Sequence, residues 1–305
     1  MRYKMAMRWA PGLPVNARVA RHDWVQRDLR VLSAESSAIG LLGRHMTIPP
    51  QVQELIDGSG NTFHAKVARW FASDGWQISI SPYYMDQTQQ KARELDLIVE
   101  RVWPIEDYGQ RLGEVAVRLF VECKFLPAYS VFWFTDKDSV AIEALLCANG
   151  QFRAQNTYTA KHHYLSSGDR VAKLFASSNA RGQEAEPFYK ALNQSLNGLV
   201  SMRGQLPKAF SPAHRGSGFR VTLDFPVVVC SSFSQLYAAD FTGAKETTLV
   251  RDNFQLEVQY AYIDHSAQSH NELFLLDVVD YEQLPLFVKG IDQDANVAGF
   301  FARRD

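Results

Sequence analysis

Cysteine is scarce in this chain of 305 residues: Cys123, Cys147 and Cys230 lie far apart and form no CxxC pair. That excludes a disulfide framework and a zinc signature. Each sits in an apolar stretch, as a small core residue does. Long apolar runs are missing too. None approaches the ~18 residues that would span a bilayer. The basic start at Arg2, Lys4 and Arg8 is not followed by the apolar segment of a secretory signal. A cytoplasmic setting without a membrane partner is the simplest expectation. Net charge is nearly absent, at −1, so the overall basicity of many nucleic-acid binders is lacking. Internal repeats and low-complexity tracts are absent as well.

What is present is an ordinary globular mixture, 46% hydrophobic and 21% charged. That is enough for one large domain or two small ones. Charge is unevenly spread. Residues 151–182 hold Arg153, Lys161, Arg170, Lys173 and Arg181 against Asp169, with His162 and His163 beside them. Residues 201–220 add Arg203, Lys208, Arg215 and Arg220, whereas the last fifty residues are dominated by acids from Asp264 to Asp294. A basic middle and an acidic end make either one positive face or merely solvated loops. The histidine pair has no partner at ligand spacing and reads as surface.

Residues 1–50, punctuated by Pro11, Gly12, Pro14, Pro49 and Pro50, read as an irregular N-terminal arm with a short helix near 22–32. Spacing predicts a helix over 63–74, with Phe63, Val67, Trp70 and Phe71 on one face, Asn61 or Thr62 as cap and Gly75 as stop. Trp76, Ile78 and Ile80 alternate as in a strand, and a polar loop is expected at 85–92. Strands at 93–102 and 115–125 flank a hairpin loop at 103–114. In the second, Val115, Val117, Leu119, Val121 and Cys123 share one face and Arg118, Glu122 and Lys124 the other, the pattern of a half-buried strand. Antiparallel pairing about that loop sets Val99 near Arg118, and Asp96 near Val121 and Glu122. Further helices are expected at 139–148, opened by Asp136 or Asp138, and at 187–203, with Pro187 in the first turn. Strands follow at 225–230, 256–263 and 273–279. The fold class is α/β: a mixed central sheet flanked by helices. It carries the arm at 1–50, a core over 51–265 with an insertion at 126–186, and an acidic C-terminal extension at 266–305 packed on the core.

Asp96, Glu122 and Lys124 carry the chemistry. Hydrolysis of a phosphodiester requires charge neutralised on a pentacovalent phosphate and a deprotonated water. Two carboxylates on adjacent strands can hold Mg²⁺ with coordination sites left open. A lysine two residues after the second carboxylate points to the same face and can meet the phosphate and the water.

The runs Phe63 to Phe71, Asp74 to Trp76, Ser81 to Asp86, Arg93 to Val99 and Phe120 to Phe125 together resemble the PD-(D/E)XK superfamily, the restriction-endonuclease-like nucleases. The resemblance covers residues ~60–126 and extends more weakly through 187–203 and 225–230. It implies an αβββαβ core and a Mg²⁺-dependent nuclease, with Mn²⁺ as the alternative cation. It assigns Asp96 and Glu122 as metal ligands and Lys124 as the residue that positions water. It departs at the first helix, where many members carry a glutamate and His64 stands here. A histidine can bind a metal or simply be a polar helix residue; Glu54 is the other candidate. Gln194 is the candidate polar side chain of the later helix, with Lys190, Asn193 and Asn197 as neighbours. Glu94 is a further carboxylate, or an ion-pair partner of Arg93. Tyr83 and Tyr84 either stack on a base or pack. The implied partner is nucleic acid, DNA rather than RNA, with a homodimer or a partner protein left open. The competing reading is a degenerate module that binds nucleic acid or protein without catalysis.

Overall fold

The computed structural model describes residues 48–126, 128–148, 159–178, 187–203 and 219–302. The chain divides into two compact units, Met1–Gln53 and Glu54–Asp305. The expected arm and its short helix lie, up to residue 47, outside the described residues. The elements in order are α1 (Pro50–Gly58), α2 (Asn61–Ser73), β1 (Gln77–Ile80), β2 (Tyr83–Asp86), β3 (Lys91–Glu94), β4 (Leu97–Asp107), β5 (Gln110–Lys124) and β6 (Ser130–Asp136). Next come α3 (Ser139–Ala148), α4 (His163–Ser166), β7 (Arg170–Ser177), α5 (Pro187–Met202), β8 (Phe219–Cys230) and β9 (Leu236–Asp240). The last are β10 (Thr248–Leu249), β11 (Phe254–Ile263), β12 (Ser269–Asp280) and α6 (Leu284–Ala302). None of the helices among the described residues is long and apolar enough to cross a membrane.

Ten strands form one mixed sheet in the order β1-β4-β5-β8-β12-β11-β7-β6-β9-β10, and β2 and β3 form a separate ribbon. Strands β1, β4 and β5 are an antiparallel meander. The chain then returns through α5 to lay β8 parallel to β5, and β12 parallel to β8. The segment 126–186 is no mere excursion, since β6 and β7 belong to the same sheet. Likewise the segment 266–305 supplies β12, which lies inside the sheet, and the packed helix α6.

Each sheet face has its own core. Val67 and Phe71 of α2 and Phe287, Ile291 and Ala298 of α6 pack on Leu97, Val117, Val121 and Val227. On the other face Phe188, Leu192, Leu196 and Leu199 of α5 pack on Ile98, Phe120, Val228 and Leu276. Ser195 joins α5 to the sheet. Its hydroxyl donates to the Phe120 carbonyl at 2.8 Å and accepts from the Val227 amide at 3.1 Å. It does so beside Pro226, which has no N–H to give.

Several expectations need correction. The half-buried strand is buried on both faces from Gly113 to Glu122, because helices cover both sides of the sheet. The loop at 103–114 shrinks to the two residues Tyr108 and Gly109, which take φ of 46° and 77°. Positive φ at both positions matches the twist of the paired strands, so β4 and β5 run on into a tight hairpin. The polar loop at 85–92 is the β2–β3 ribbon. Helix α2 is capped by Gly60 with no side-chain hydrogen bond, not by Asn61 or Thr62. Helix α3, by contrast, is opened as expected by one of the two candidate aspartates, Asp138, which accepts from the Val140 and Ala141 amides.

The hairpin register also differs from the expectation. Next to the turn, Asp107 pairs with Gln110 and Glu106 with Arg111; beyond it Ile105 pairs with Gly113. Leu112 is therefore an extra residue, and every later pair is displaced by one. Val99 faces Leu119, Glu100 faces Arg118 and Leu97 faces Val121. Without that bulge Asp96 would lie opposite Val121, on the face away from Glu122, because strand side chains alternate.

Candidate active site

Asp96 stands just ahead of β4, opposite Glu122 near the end of β5. The Cys123 amide donates to Asp96 Oδ2 at 2.7 Å, and the Asp96 amide donates to Glu122 Oε1 at 3.2 Å. Each carboxylate thus spends one oxygen on the neighbouring strand. Lys124 Nζ lies 3.0 Å from Glu122 Oε2, the other oxygen. Glu122 is fully buried. Burial pushes its carboxyl up to about 8, against the opposing pull of Lys124. Burial works against the charge of Lys124, but Glu122 and Asp96 together outweigh it, so its pKa lies above the ordinary lysine value. The ammonium is therefore a fixed cation at neutral pH.

Sequence adjacency misled on the neighbours. Glu94 does not pair with Arg93, because successive strand residues point to opposite faces. Arg93 Nε donates to Asp86 at 2.8 Å across the ribbon. Glu94 instead accepts from the Tyr83 hydroxyl at 2.9 Å. The Ser81 side chain and Tyr83 hold its carboxyl below the ordinary value, with His64 nearby adding to the effect. Tyr83 is largely exposed, whereas Tyr84 is buried, its hydroxyl donating to the Gln194 carbonyl at 3.3 Å.

The remaining candidates surround the trio without joining it. His64 is half-buried on α2, and its Nε2 is buried with no hydrogen-bond partner among the described residues. It lies within electrostatic reach of Glu94, but no hydrogen bond ties it to Asp96 or Glu122 there. Glu54 is exposed on α1. Gln194 Nε2 donates to the Glu94 carbonyl at 3.1 Å, which places it two residues from Asp96 rather than on the carboxylates. Lys190, Asn193 and Asn197 line, with Gln194, a cavity that none of the trio lines.

The histidine pair is not on the surface. His162 and His163 are buried between α6 and the sheet. His163 Nε2 lies 2.9 Å from Asp277 Oδ2 on β12, and its Nδ1 pairs with Asp294 Oδ2 on α6. Burial opposes the charge, but the two aspartates outweigh it and hold His163 up to about 10. Burial pushes His162 down to about 3, although its Nε2 is 3.2 Å from Asp294. The ligand atoms of His162, His163 and Asp294 lie within 4.8 Å of one another, so the cluster could hold a metal. As described, though, a proton neutralises it. His162 Nδ1 accepts from the Tyr164 amide, which leaves the ring proton on Nε2, facing Asp294. The readable signal was Asp277, an acid inside the apolar run Leu273–Val279, since a charge there requires a buried partner.

The basic stretch is largely neutralised where it is described. Arg170 pairs with Asp240, Lys173 with Glu257, and Arg203 with Glu272. Arg153, Arg181, Lys208 and Arg215 lie outside the described residues. Comparison of the chain with protein-family models, with curated proteins and with solved structures gives no match.

Proposed function

We propose that this chain is a metal-dependent nuclease of the restriction-endonuclease-like kind, with Asp96, Glu122 and Lys124 as its catalytic trio. One observation carries the reading: Asp96 and Glu122 are brought face to face across β4 and β5, with the Lys124 ammonium on the second carboxylate. The succession α2, β1, β4, β5, α5, β8 agrees with an αβββαβ core, with the ribbon inserted after β1 and the 126–186 segment before α5.

The donor set fits a hard divalent cation. Among the described residues, Asp96 Oδ1 and Glu122 Oε2 are the oxygens not engaged by backbone amides, and Lys124 already sets a positive charge on the second. His64 Nε2, buried and unpartnered among the described residues, is a nearby nitrogen of the kind that ligates Mn²⁺. When bound, Mg²⁺ or Mn²⁺ would neutralise phosphoryl charge and acidify a water. Asp96 and Glu122 would hold the cation in place. Lys124, protonated, would stabilise charge on the pentacovalent phosphate and orient the attacking water; its raised pKa makes it a poor base. Nucleic acid, DNA before RNA, is the substrate of this reading.

A second reading has its own support. The ion pairs of Arg170, Lys173 and Arg203 leave little of the expected positive face among the described residues. That favours a degenerate module that binds a partner. Cleavage of single-stranded DNA, duplex DNA and RNA with Mg²⁺, Mn²⁺ or EDTA decides between the two, with Asp96→Ala and Lys124→Ala run beside wild type. Metal-dependent cutting lost by ~10²-fold or more in both variants supports the nuclease. No cutting, and no Mg²⁺ binding by calorimetry, leaves the module.

A further inference from the structure

A cavity of ≈ 810 Å³ lies under the β2–β3 ribbon, within the ~300–1,000 Å³ of small-ligand sites. The ribbon forms its roof, α5 its wall and β11 its floor. The roof is fastened at both ends. At the root, the Ser81 amide donates to the Asp96 carbonyl and the Leu95 amide to the Pro82 carbonyl. At the tip, the Ile263 amide donates to Thr88 Oγ1 at 3.1 Å. Tyr84, from the ribbon, reaches the Gln194 carbonyl of α5. The cavity is thus a built space between three secured elements.

Its lining selects among ligands. The carboxylate there, Asp86, is consumed: Oδ1 accepts the Thr88 and Gln89 amides, and Oδ2 accepts from Arg93. A metal cation therefore finds no free carboxylate among the described lining residues, and Arg93 is balanced. Lys190 remains as a cation with no ion-pair partner among the described residues. The carboxamides of Asn193, Gln194 and Asn197 offer donors and acceptors together. Asn193 and Gln194 give their N–H groups to backbone carbonyls, and no hydrogen bond engages their amide oxygens among the described residues. Tyr189 and Tyr260 supply rings, and Tyr260 is steadied by ring contacts with Tyr262 and Phe274. An apolar ligand would strand these amides, and a bare anion would leave the rings unused. A flat heterocycle with mixed donors and acceptors and an attached phosphate uses all of them.

We propose that this cavity binds one nucleotide of a single-stranded nucleic acid, its base against tyrosine and amides and its phosphate at Lys190. The assignment rests on the nuclease reading for the nature of the ligand. It deepens that reading, because Gln194 lines the cavity and also holds the Glu94 carbonyl, two residues from Asp96. A strand seated here is led toward the trio.

The test is binding without turnover. Protein in EDTA is titrated into a short fluorescein-labelled single-stranded DNA, the same strand annealed to its complement, and the RNA of the same sequence, with anisotropy as readout. Single strands should bind about tenfold or more tighter than duplex, and the two single strands show which sugar is preferred. Lys190→Glu, at an exposed position, and Asn197→Leu should each weaken single-strand binding about tenfold with folding unchanged by circular dichroism. Lys245→Glu, in the exposed segment before β10, should change it by less than about twofold. Equal binding of single strand and duplex, no binding at all, or binding unmoved by Lys190→Glu overturns the site. Lys190→Glu carries the test if Asn197→Leu does not fold. The two readings separate in a Lys124→Ala background. Single-strand binding that still depends on Lys190 there upholds the site, even if wild type never cleaves. Metal-dependent cleavage with KM unmoved by both cavity substitutions overturns the site and leaves the nuclease.

Discussion

Asp96 and Glu122 are laced together across two strands: the amide of Asp96 donates to the Glu122 carboxylate, and the Asp96 carboxylate accepts from the amide next to Glu122. The two side chains are therefore set by backbone geometry rather than by mutual attraction, which like charges lack. That arrangement holds an acidic pair in register at a cost in desolvation, and Glu122 shows the cost as a carboxyl held up to about 8.

Cation binding should be linked to that proton. A group with a folded pKa raised above its unfolded value stabilises the fold below the unfolded value, 4.5 here, and loses that contribution as pH rises through about 8. A cation that replaces the proton restores it. The rise in melting temperature on adding Mg²⁺ should therefore grow from pH 6 to pH 8.5 and be lost in Glu122→Gln. A rise independent of pH would mean that Mg²⁺ binds elsewhere.

The histidine pair should give stability two limbs. Unfolded, both rings titrate near 6.5. His163 keeps its proton up to about 10, so its contribution is full below pH 6.5 and is lost as pH rises toward 10. His162 refuses a proton down to about 3, so stability falls as pH drops below 6.5. Melting temperature measured from pH 5 to 10 should peak between the limbs. His163→Gln should destabilise the fold and flatten the alkaline limb, since Asp277 and Asp294 would then face each other without a cation.

Arg118 is buried and bound at both Nε and Nη2 by the two oxygens of Asp224, at 2.6 and 2.7 Å. Removing the carboxylate strands a buried guanidinium. Asp224→Ala should cost about 3–5 kcal/mol in urea unfolding. A cost below about 1 kcal/mol would show that water or Glu100, its cross-strand neighbour, takes over.

Tyr108 is fully exposed and sits at φ 46° in the hairpin turn before Gly109. Its ring packs on nothing, and a residue other than Gly, Asn or Asp is strained there. Tyr108→Asn should raise stability by about 0.5–1 kcal/mol, read as a higher denaturant midpoint with unchanged slope. Gly109→Ala, at φ 77°, should lower it.

Much was legible where the signal is local. The stripe Phe63, Val67, Trp70 and Phe71 announced α2, because a helix repeats every 3.6 residues whatever it packs on. The Glu122-x-Lys124 spacing put both side chains on one face of β5 by strand alternation alone. The ribbon was not legible, since Gln87 to Gln90 look like any polar loop until strands are paired on either side.

The sequence by itself determined the α/β class, the principal helices and strands, and the common face of Glu122 and Lys124, all consequences of spacing along a few neighbouring residues. Only the tertiary structure decided which residue Asp96 meets. One extra residue, Leu112, shifts the whole hairpin and moves Asp96 from Val121 to Glu122. Only the tertiary structure, too, buried His163 between aspartates 114 and 131 residues away and set Arg203 against Glu272. Register and burial depend on contacts between distant segments, and spacing within one segment carries no record of what will be packed against it.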